Sequence, residues 1–181
     1  MRLLILRHAK ADRAAGKHMD DHERALTARG RGAAARMGGY MKAKHYVPQR
    51  VLCSSAVRTR ETLDVLLPYF ITRAQIAFAR GLYLADWGAL LKQVQAMPAD
   101  CESLLLVGHN PGLERLAIAL ALHPSGIAER SRAEKLAQKF PTAALAVLDA
   151  DGPGWSAFKP GSARLIDVVR PRDLDPDEDE E

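Results

Sequence analysis

The first ten residues, MRLLILRHAK (residues 1–10), contain a short apolar run that ends in an arginine and a histidine. The run from Leu3 to Leu6 has no polar interruption, which is typical of a strand buried on both faces of a parallel sheet. Arg7 and His8 follow directly and therefore lie at the carboxyl end of the predicted strand. In open α/β sheets ligands bind at that edge, because the loops there surround a crevice. We therefore predict that Arg7 and His8 belong to a functional site.

A second apolar segment, QRVLC (49–53), also ends in polar residues, Ser54 and Ser55. A helical pattern follows it and carries Arg58 in its first turn. Arg60 lies about 200° further round a helix of 3.6 residues per turn, so the two arginines cannot face the same way. We predict that Arg58 faces the site and that Arg60 and Glu61 lie on the surface.

A third segment, SLLLV (103–107), is the strongest buried-strand pattern after the first and leads directly to His109. We expect Asn110 to cap a helix whose first residue is Pro111. His109 therefore lies where a strand stops and a helix begins. Three strand ends thus bring Arg7 and His8, Arg58, and His109 towards one edge of the sheet.

The remaining patterns complete an α/β fold. Thr27 is typical of a helix N-cap, and the glycines of the following helix indicate close packing against the sheet. Residues 76–79 indicate an edge strand, and residues 142–148 and 163–169 an antiparallel pair. We predict a three-layer α/β/α sandwich with a mostly parallel central sheet and helices on both faces.

The length of 181 residues and a composition of 48% hydrophobic and 27% charged residues fit one globular domain. The last seven residues, DPDEDEE, carry six acids; without them the net charge of +4 becomes +10 on residues 1–174. We expect one domain over residues 1–172 and an acidic disordered tail over residues 173–181. A basic domain suits a phosphate-bearing partner.

Several classes of protein do not fit the sequence. No apolar run approaches a membrane span and no signal-peptide pattern precedes the first strand, so we expect a cytoplasmic protein that does not bind membranes. Aromatic residues make up 6% of the chain without interleaved basic residues, which disfavours nucleic acid as a partner. Cys53 and Cys101 lack metal-ligand spacing and are interpreted as buried thiols, so we expect neither a metal nor a cofactor.

Two arginines and two histidines at one sheet edge indicate a phosphate-binding site. A guanidinium group matches phosphate oxygens with a planar fork of donors and stays charged at any working pH. An imidazole between them can attack phosphorus and hold the phosphoryl group as a covalent intermediate. The charged loop after His8 adds four groups that could meet an anionic substrate or simply be solvated: Lys10, Arg13, Lys17 and His18.

The same residues carry a resemblance to the histidine phosphatase superfamily, and to its short, SixA-like branch in particular. It extends over most of residues 1–172, and its motifs are LRHAK (6–10), LTARG (26–30), SSAVRTRET (54–62) and VGHNPG (107–112). It implies a phosphoglycerate mutase-like fold, His8 as the phosphorylated nucleophile, and Arg7, Arg58 and His109 as the groups that bind the phosphoryl group.

The general acid is missing from this resemblance. Larger members of the superfamily take it from a glutamate motif that this chain does not reproduce, and Asp86 is the nearest carboxylate to that place. Asp86 is also a candidate helix N-cap, an interpretation that its position alone favours. Without a strong acid, a good leaving group such as the imidazole of phosphohistidine needs less proton donation than an alkyl alcohol.

We therefore expect a metal-independent phosphatase that acts on phosphohistidine in a partner protein. The alternatives are a phosphatase of small phosphomonoesters, a mutase and a phosphoprotein-binding module without turnover. A mutase is disfavoured because no lid-forming domain is visible, and the intact set of Arg7, His8, Arg58 and His109 argues against a binding module.

Overall fold

A computed structural model describes residues 1–12, 20–70 and 74–175. Its strands are β1 (Arg2–Arg7), β2 (Arg50–Ser54), β3 (Gln75–Ala79), β4 (Ser103–Gly108), β5 (Leu145–Asp149) and β6 (Arg164–Val169). Its α-helices are α1 (Ala28–Ala43), α2 (Val57–Leu66), α3 (Trp87–Gln95), α4 (Gly112–Leu120), α5 (Ile127–Gln138) and α6 (Pro171–Leu174).

The six strands form one sheet in the order β3-β2-β4-β1-β5-β6. The pairs β1/β4, β2/β4 and β2/β3 are parallel, whereas β5 is antiparallel to both β1 and β6. Arg7 of β1 is in register with Gly108 of β4, and Cys53 of β2 with Val107. The carboxyl ends of β1, β2 and β4 therefore lie side by side at the middle of one edge.

Both faces of the sheet are covered, which explains the uninterrupted apolar run of β1. Leu3 and Ile5 pack in a core with α3, α4 and α5. Leu4 and Leu6 point the other way into a core with α1 and α2. The predicted sandwich and mostly parallel sheet are confirmed, and so are the edge position of β3 and the antiparallel pair β5/β6.

Helix α1 begins where the sequence predicts. Thr27 caps it, with its side-chain oxygen accepting from the amide of Gly30. A Cβ atom on Gly30 would overlap the backbone of Lys10, and one on Gly38 would overlap the ring of Tyr69. The close packing is confirmed, but it is against a loop and a turn rather than against the sheet. The absence of a side chain at Gly30 thus lets α1 hold the segment that follows His8.

Two predictions about element ends are wrong. Asn110 does not cap α4, which begins at Gly112; its side-chain amide donates instead to the carbonyl of Phe140 and to Glu114. The chain also continues to pack beyond residue 172.

The tail was expected to be disordered from residue 173 onwards, yet its first two residues belong to helix α6, Pro171–Leu174. Asp173 lies 2.7 Å from the ammonium of Lys135 and accepts from the amide of Arg170, while Leu174 packs on the core beneath α1. Local pairing neutralises this acidic residue. The rest of the predicted tail, residues 176–181, lies outside the described residues.

Candidate active site

The predicted site residues meet at the edge formed by β1, β2 and β4. The amide of His8 donates to the carbonyl of Gly108 at 3.1 Å, so the chain stays attached to β4 one residue beyond the strand. The ring centroids of His8 and His109 lie 5.2 Å apart, with their planes at 55°. Two strand ends that are distant in sequence thus place two imidazoles in contact.

One hydrogen bond decides which nitrogen of His8 is free to react. Nδ1 lies 2.8 Å from the carbonyl oxygen of Ala9. A carbonyl oxygen can only accept, so Nδ1 carries the ring proton and Nε2 of the neutral ring keeps its lone pair. The amide of Ala9 is itself fixed by donating to the hydroxyl of Thr62 in α2. The carbonyl and the amide of Ala9 thus together fix the orientation of the His8 ring and of its Nε2.

The surroundings keep His8 uncharged. Burial is the main cause that lowers the pKa of His8 to about 4, opposed by the bond to Ala9 and assisted by the positive charges of Arg58 and Arg7. At neutral pH the imidazole is therefore a nucleophile in its unprotonated form.

His109 is buried, with 3% of its surface exposed. Its Nε2 lies 2.8 Å from the hydroxyl oxygen of Ser54, at the end of β2, whereas Nδ1 is buried without a hydrogen-bond partner among the described residues. Burial, with the nearby His8 and Arg58, lowers the pKa of His109 to about 3. The unpartnered nitrogen is a polar group that a bound oxyanion could satisfy.

Arg7 is only partly satisfied by protein. One terminal nitrogen donates to the carbonyl of Phe140 at 2.9 Å, and within the part of the chain that the structure describes the buried Nε has no hydrogen-bond partner. Burial lowers the pKa of Arg7, yet a guanidinium remains charged at neutral pH. Arg7 therefore offers donors and positive charge to a ligand at this edge.

Arg58 is buried in the first turn of α2, while Arg60 is exposed, with its guanidinium 5.4 Å from the ring centre of Phe78. The predicted surface position of Arg60 is confirmed, and the role of Arg58 in the site stays a prediction. Arg58 donates to the backbone carbonyl of Asp21 and, at 2.9 Å, to its carboxylate. An acidic side chain thus occupies one side of this guanidinium.

Asp21 was not identified from the sequence. Its carboxylate accepts from the hydroxyl of Tyr83 at 2.6 Å and from Arg24 at 2.7 Å, in addition to Arg58. Tyr83 and these two arginines hold the pKa of Asp21 well below its usual range. Asp21 is therefore ionised and tethers the loop before α1 to the site.

Three more polar residues, His22, Glu23 and Ser55, lie next to Asp21. Together with Asp21 and Tyr83 they form the rim of the site. His22 Nδ1 lies 2.9 Å from Glu23, and His22 Nε2 lies 2.8 Å from the hydroxyl of Ser55. The ring of Tyr83 packs edge-on against His22 at 4.9 Å and against His109 at 5.3 Å. A series of contacts thus runs from Ser55 through His22 and Tyr83 to His109.

The other predicted residues have different places. Asp86 caps α3, and its Oδ1 accepts from the amides of Gly88 and Ala89, so the cap interpretation is confirmed. Its role as an acid stays a prediction. Lys10 is exposed, and Arg13, Lys17 and His18 lie outside the described residues.

The chain resembles known proteins along most of its length. No family model matches the sequence. An uncharacterized protein of Mycobacterium tuberculosis is 36% identical over 167 residues, which cover 92% of this chain and all of that protein. No described helix has the length and apolar character needed to cross a membrane.

Two solved structures resemble the chain along nearly its whole length. The provisionally named phosphohistidine phosphatase SixA of Agrobacterium tumefaciens is 30% identical, with a TM-score of 0.77, and the match covers 93% of this chain and 97% of that one. The provisionally named SixA of Nakamurella multipartita is also 30% identical, with a TM-score of 0.79 and coverage of 94% and 95%. The chain therefore belongs to the histidine phosphatase superfamily and, like its SixA-type neighbours, is a histidine phosphatase.

Proposed function

We propose that this protein hydrolyses phosphohistidine in a partner protein, through a phosphoryl intermediate on Nε2 of His8. The observation that supports this most strongly is the bond from His8 Nδ1 to Ala9, because it leaves an unprotonated Nε2 beside His109 and the two arginines. A neutral nucleophile surrounded by positive charge is the arrangement that attack on a phosphoryl group requires.

In the first step, the lone pair of His8 Nε2 forms a bond to phosphorus while the bond from phosphorus to the substrate's leaving atom breaks. The non-bridging oxygens carry the negative charge, so they are the groups that Arg7, Arg58 and His109 would bind. Arg7 Nε donates, and so does His109 Nδ1 in the tautomer in which Nε2 accepts from Ser54; neither has a partner among residues 1–12, 20–70 and 74–175, so both are available to these oxygens. These residues supply positive charge from the protein itself, and we expect no metal requirement.

In the second step, water attacks the phosphoryl group and the bond from phosphorus to His8 Nε2 breaks. The products are inorganic phosphate and a neutral His8. Because Nδ1 keeps its proton throughout, the ring leaves as a neutral imidazole rather than as an anion. The Ala9 carbonyl therefore serves both steps, by fixing the tautomer.

Phosphohistidine is the proposed substrate because of the carboxylates around the site. Asp21 is held ionised by Tyr83 and two arginines, and Asp86 caps a helix, so neither is placed as a ready proton donor. A weakly basic leaving group depends least on such a donor. The names of the two SixA-type structural neighbours support the same substrate class.

A comparison of substrates tests this proposal. The purified protein is assayed in EDTA with a phosphohistidine-bearing protein, a sugar phosphate and 4-nitrophenyl phosphate. We expect the highest kcat/KM for the phosphohistidine protein and no turnover by His8→Ala. Preference for the sugar phosphate would instead indicate a small-molecule phosphatase, and tight phosphopeptide binding without turnover would indicate a binding module.

A further inference from the structure

The attacking water must lose a proton in the second step of the proposed reaction, and the structure offers a group that can accept it. We propose that His22 and Ser55 form a proton relay for this reaction, with Glu23 as a positioning residue that holds the imidazole. The inference rests on the proposed phosphoryl transfer through His8. It gives a role to His22 and Glu23, which lie outside the quoted motifs, and to Ser55, which lies within one of them.

The hydrogen bonds of His22 define the direction of the relay. Glu23 is a carboxylate that can only accept, so the bond of 2.9 Å requires the proton on Nδ1 of His22. In the neutral ring Nε2 is then an acceptor, and the Ser55 hydroxyl 2.8 Å away must donate to it. The oxygen of Ser55 is left with lone pairs that can receive a proton from water.

Contacts and neighbouring residues connect the relay to the two side chains proposed to hold the phosphoryl group on this side. His22 follows Asp21, whose carboxylate and carbonyl accept from Arg58. Ser55 follows Ser54, whose hydroxyl contacts His109. The ring of Tyr83 contacts both His22 and His109 and so connects the two imidazoles.

Other described groups near the site are less suited to exchange a proton. Asp21 is ionised and saturated by three donors, and Tyr83 donates its hydroxyl proton to Asp21. His109 is held neutral by burial. Glu114, which accepts from the side chain of Asn110 near Arg7, is the strongest rival and is therefore part of the test.

The proton balance of the cycle closes on these residues. When water bonds to phosphorus and the bond to His8 Nε2 breaks, a proton of the water passes to Ser55 Oγ while the Ser55 proton passes to His22 Nε2. His22 is then a cation facing the Glu23 carboxylate. In the next cycle His22 returns the proton through Ser55 to the atom that leaves phosphorus. Attack and departure take place in line with His8, so one relay serves both steps.

Pre-steady-state kinetics with 4-nitrophenyl phosphate test the relay. Nitrophenolate leaves without a proton donor, so His22→Gln should keep the initial burst of nitrophenolate. Hydrolysis of the phosphoenzyme should slow by about 100-fold, in the range of general acid–base contributions. Phosphate bound to His8 should consequently accumulate to near the enzyme concentration. Ser55→Ala should give the same pattern, and His123→Gln, at an exposed histidine, should behave like the wild type.

Three results would overturn the relay. A parallel loss of burst rate and steady-state rate in His22→Gln would show a structural role, and wild-type kinetics in that variant would show no role. The accumulation pattern in Glu114→Gln instead would assign the proton to Glu114. Failure of the underlying phosphatase proposal looks different, because the wild type itself would then show neither a burst nor labelled His8. Unchanged melting temperatures of the variants establish that each is folded.

Discussion

Strand β1 carries an arginine at each end, and the two side chains differ in their hydrogen bonds and in the direction of their pKa shifts. At the amino end, Arg2 makes two hydrogen bonds of 2.8 Å to the carboxylate of Asp149, which raises the pKa of Arg2. At the carboxyl end, Arg7 donates to the backbone carbonyl of Phe140, its Nε has no partner among the residues that the structure describes, and burial lowers its pKa. The same residue type is paired where it supports the fold and left partly unpaired where it can bind an anion.

This contrast shows how the sheet separates stability from function. A buried cation without a full set of acceptors costs free energy that the surrounding core must offset. The buried leucines of β1 lie between the two arginines and pack on both faces. The well-packed middle of the strand thus supports an end that is poorly satisfied in the absence of a ligand.

The largest expected effect comes from exchanging each arginine for lysine. Arg7→Lys should lower kcat/KM by about 100- to 1000-fold, because lysine keeps the charge but loses the planar fork that binds phosphate oxygens. Arg2→Lys should leave kcat/KM unchanged and lower the free energy of unfolding by about 1 kcal/mol or less, since the Arg2 side chain is 39% exposed. Steady-state kinetics and urea unfolding of both variants measure the two effects. Equal losses of activity would remove the distinction between the two ends.

The two histidines of the site should also determine how the free energy of unfolding changes in acid. His8 and His109 have pKa values of about 4 and 3 in the folded protein, against 6.5 ordinarily. As the pH falls from 6.5 to 4, the two histidines bind protons in the unfolded chain but not in the folded protein. The free energy of unfolding therefore decreases. We expect a loss of about 3 kcal/mol from each histidine over this pH range, at 1.36 kcal/mol per pKa unit.

Urea unfolding between pH 4 and 7 checks this prediction. The double variant His8→Asn/His109→Asn should have a flatter profile than the wild type over that range. His123→Asn provides the control, since His123 is exposed and should not alter the slope. A double variant that keeps the wild-type profile would show that acid lability arises elsewhere in the chain.

The sequence predicted the central part of this contrast. An apolar run that ends in Arg7 and His8 is a local signal, and so is the helical angle that separates Arg58 from Arg60. These predictions hold because strand burial and helix period depend on nearby residues. The cap residues Thr27 and Asp86 were predicted for the same reason.

The rim could not be predicted in this way. Asp21, His22 and Tyr83 come from segments without periodicity, and they meet through tertiary contacts. Tyr83 donates to Asp21 and packs against His22, and His22 contacts Ser55, which follows β2. Glu61 was expected at the surface, but it accepts from the amide of Leu26 and from Arg31. Contacts across such sequence separations depend on the tertiary fold and leave no pattern in the local sequence.

Asp21 provides a smaller test of the contrast. It is the carboxylate that Arg58 contacts, as Asp149 is for Arg2, but its side chain is 46% exposed. Asp21→Asn removes a negative charge beside the proposed phosphate position, so inorganic phosphate should inhibit about threefold more tightly, as expected for an exposed ion pair. Inhibition constants at low ionic strength measure this effect. Weaker inhibition would show that Asp21 mainly holds Arg58 in place.

The smallest effect is expected at Asp86. Asp86→Ala should lower the free energy of unfolding by about 1 kcal/mol through loss of the α3 cap, whereas Asp86→Asn should retain the cap. If Asp86 acts only as a cap, Asp86→Asn keeps the wild-type kcat/KM on both 4-nitrophenyl phosphate and a sugar phosphate. A selective loss on the sugar phosphate would make Asp86 the acid.

The position of phosphorus on the enzyme tests the central claim most directly. The wild-type protein is mixed with a phosphoryl donor and quenched in alkali, and the label is located by mass spectrometry and phosphorus NMR. The geometry of His8, with Nδ1 bonded to Ala9, predicts acid-labile phosphate on Nε2 of His8 and none in His8→Ala. Phosphate on Nδ1, on another residue, or persisting in His8→Ala would contradict the account.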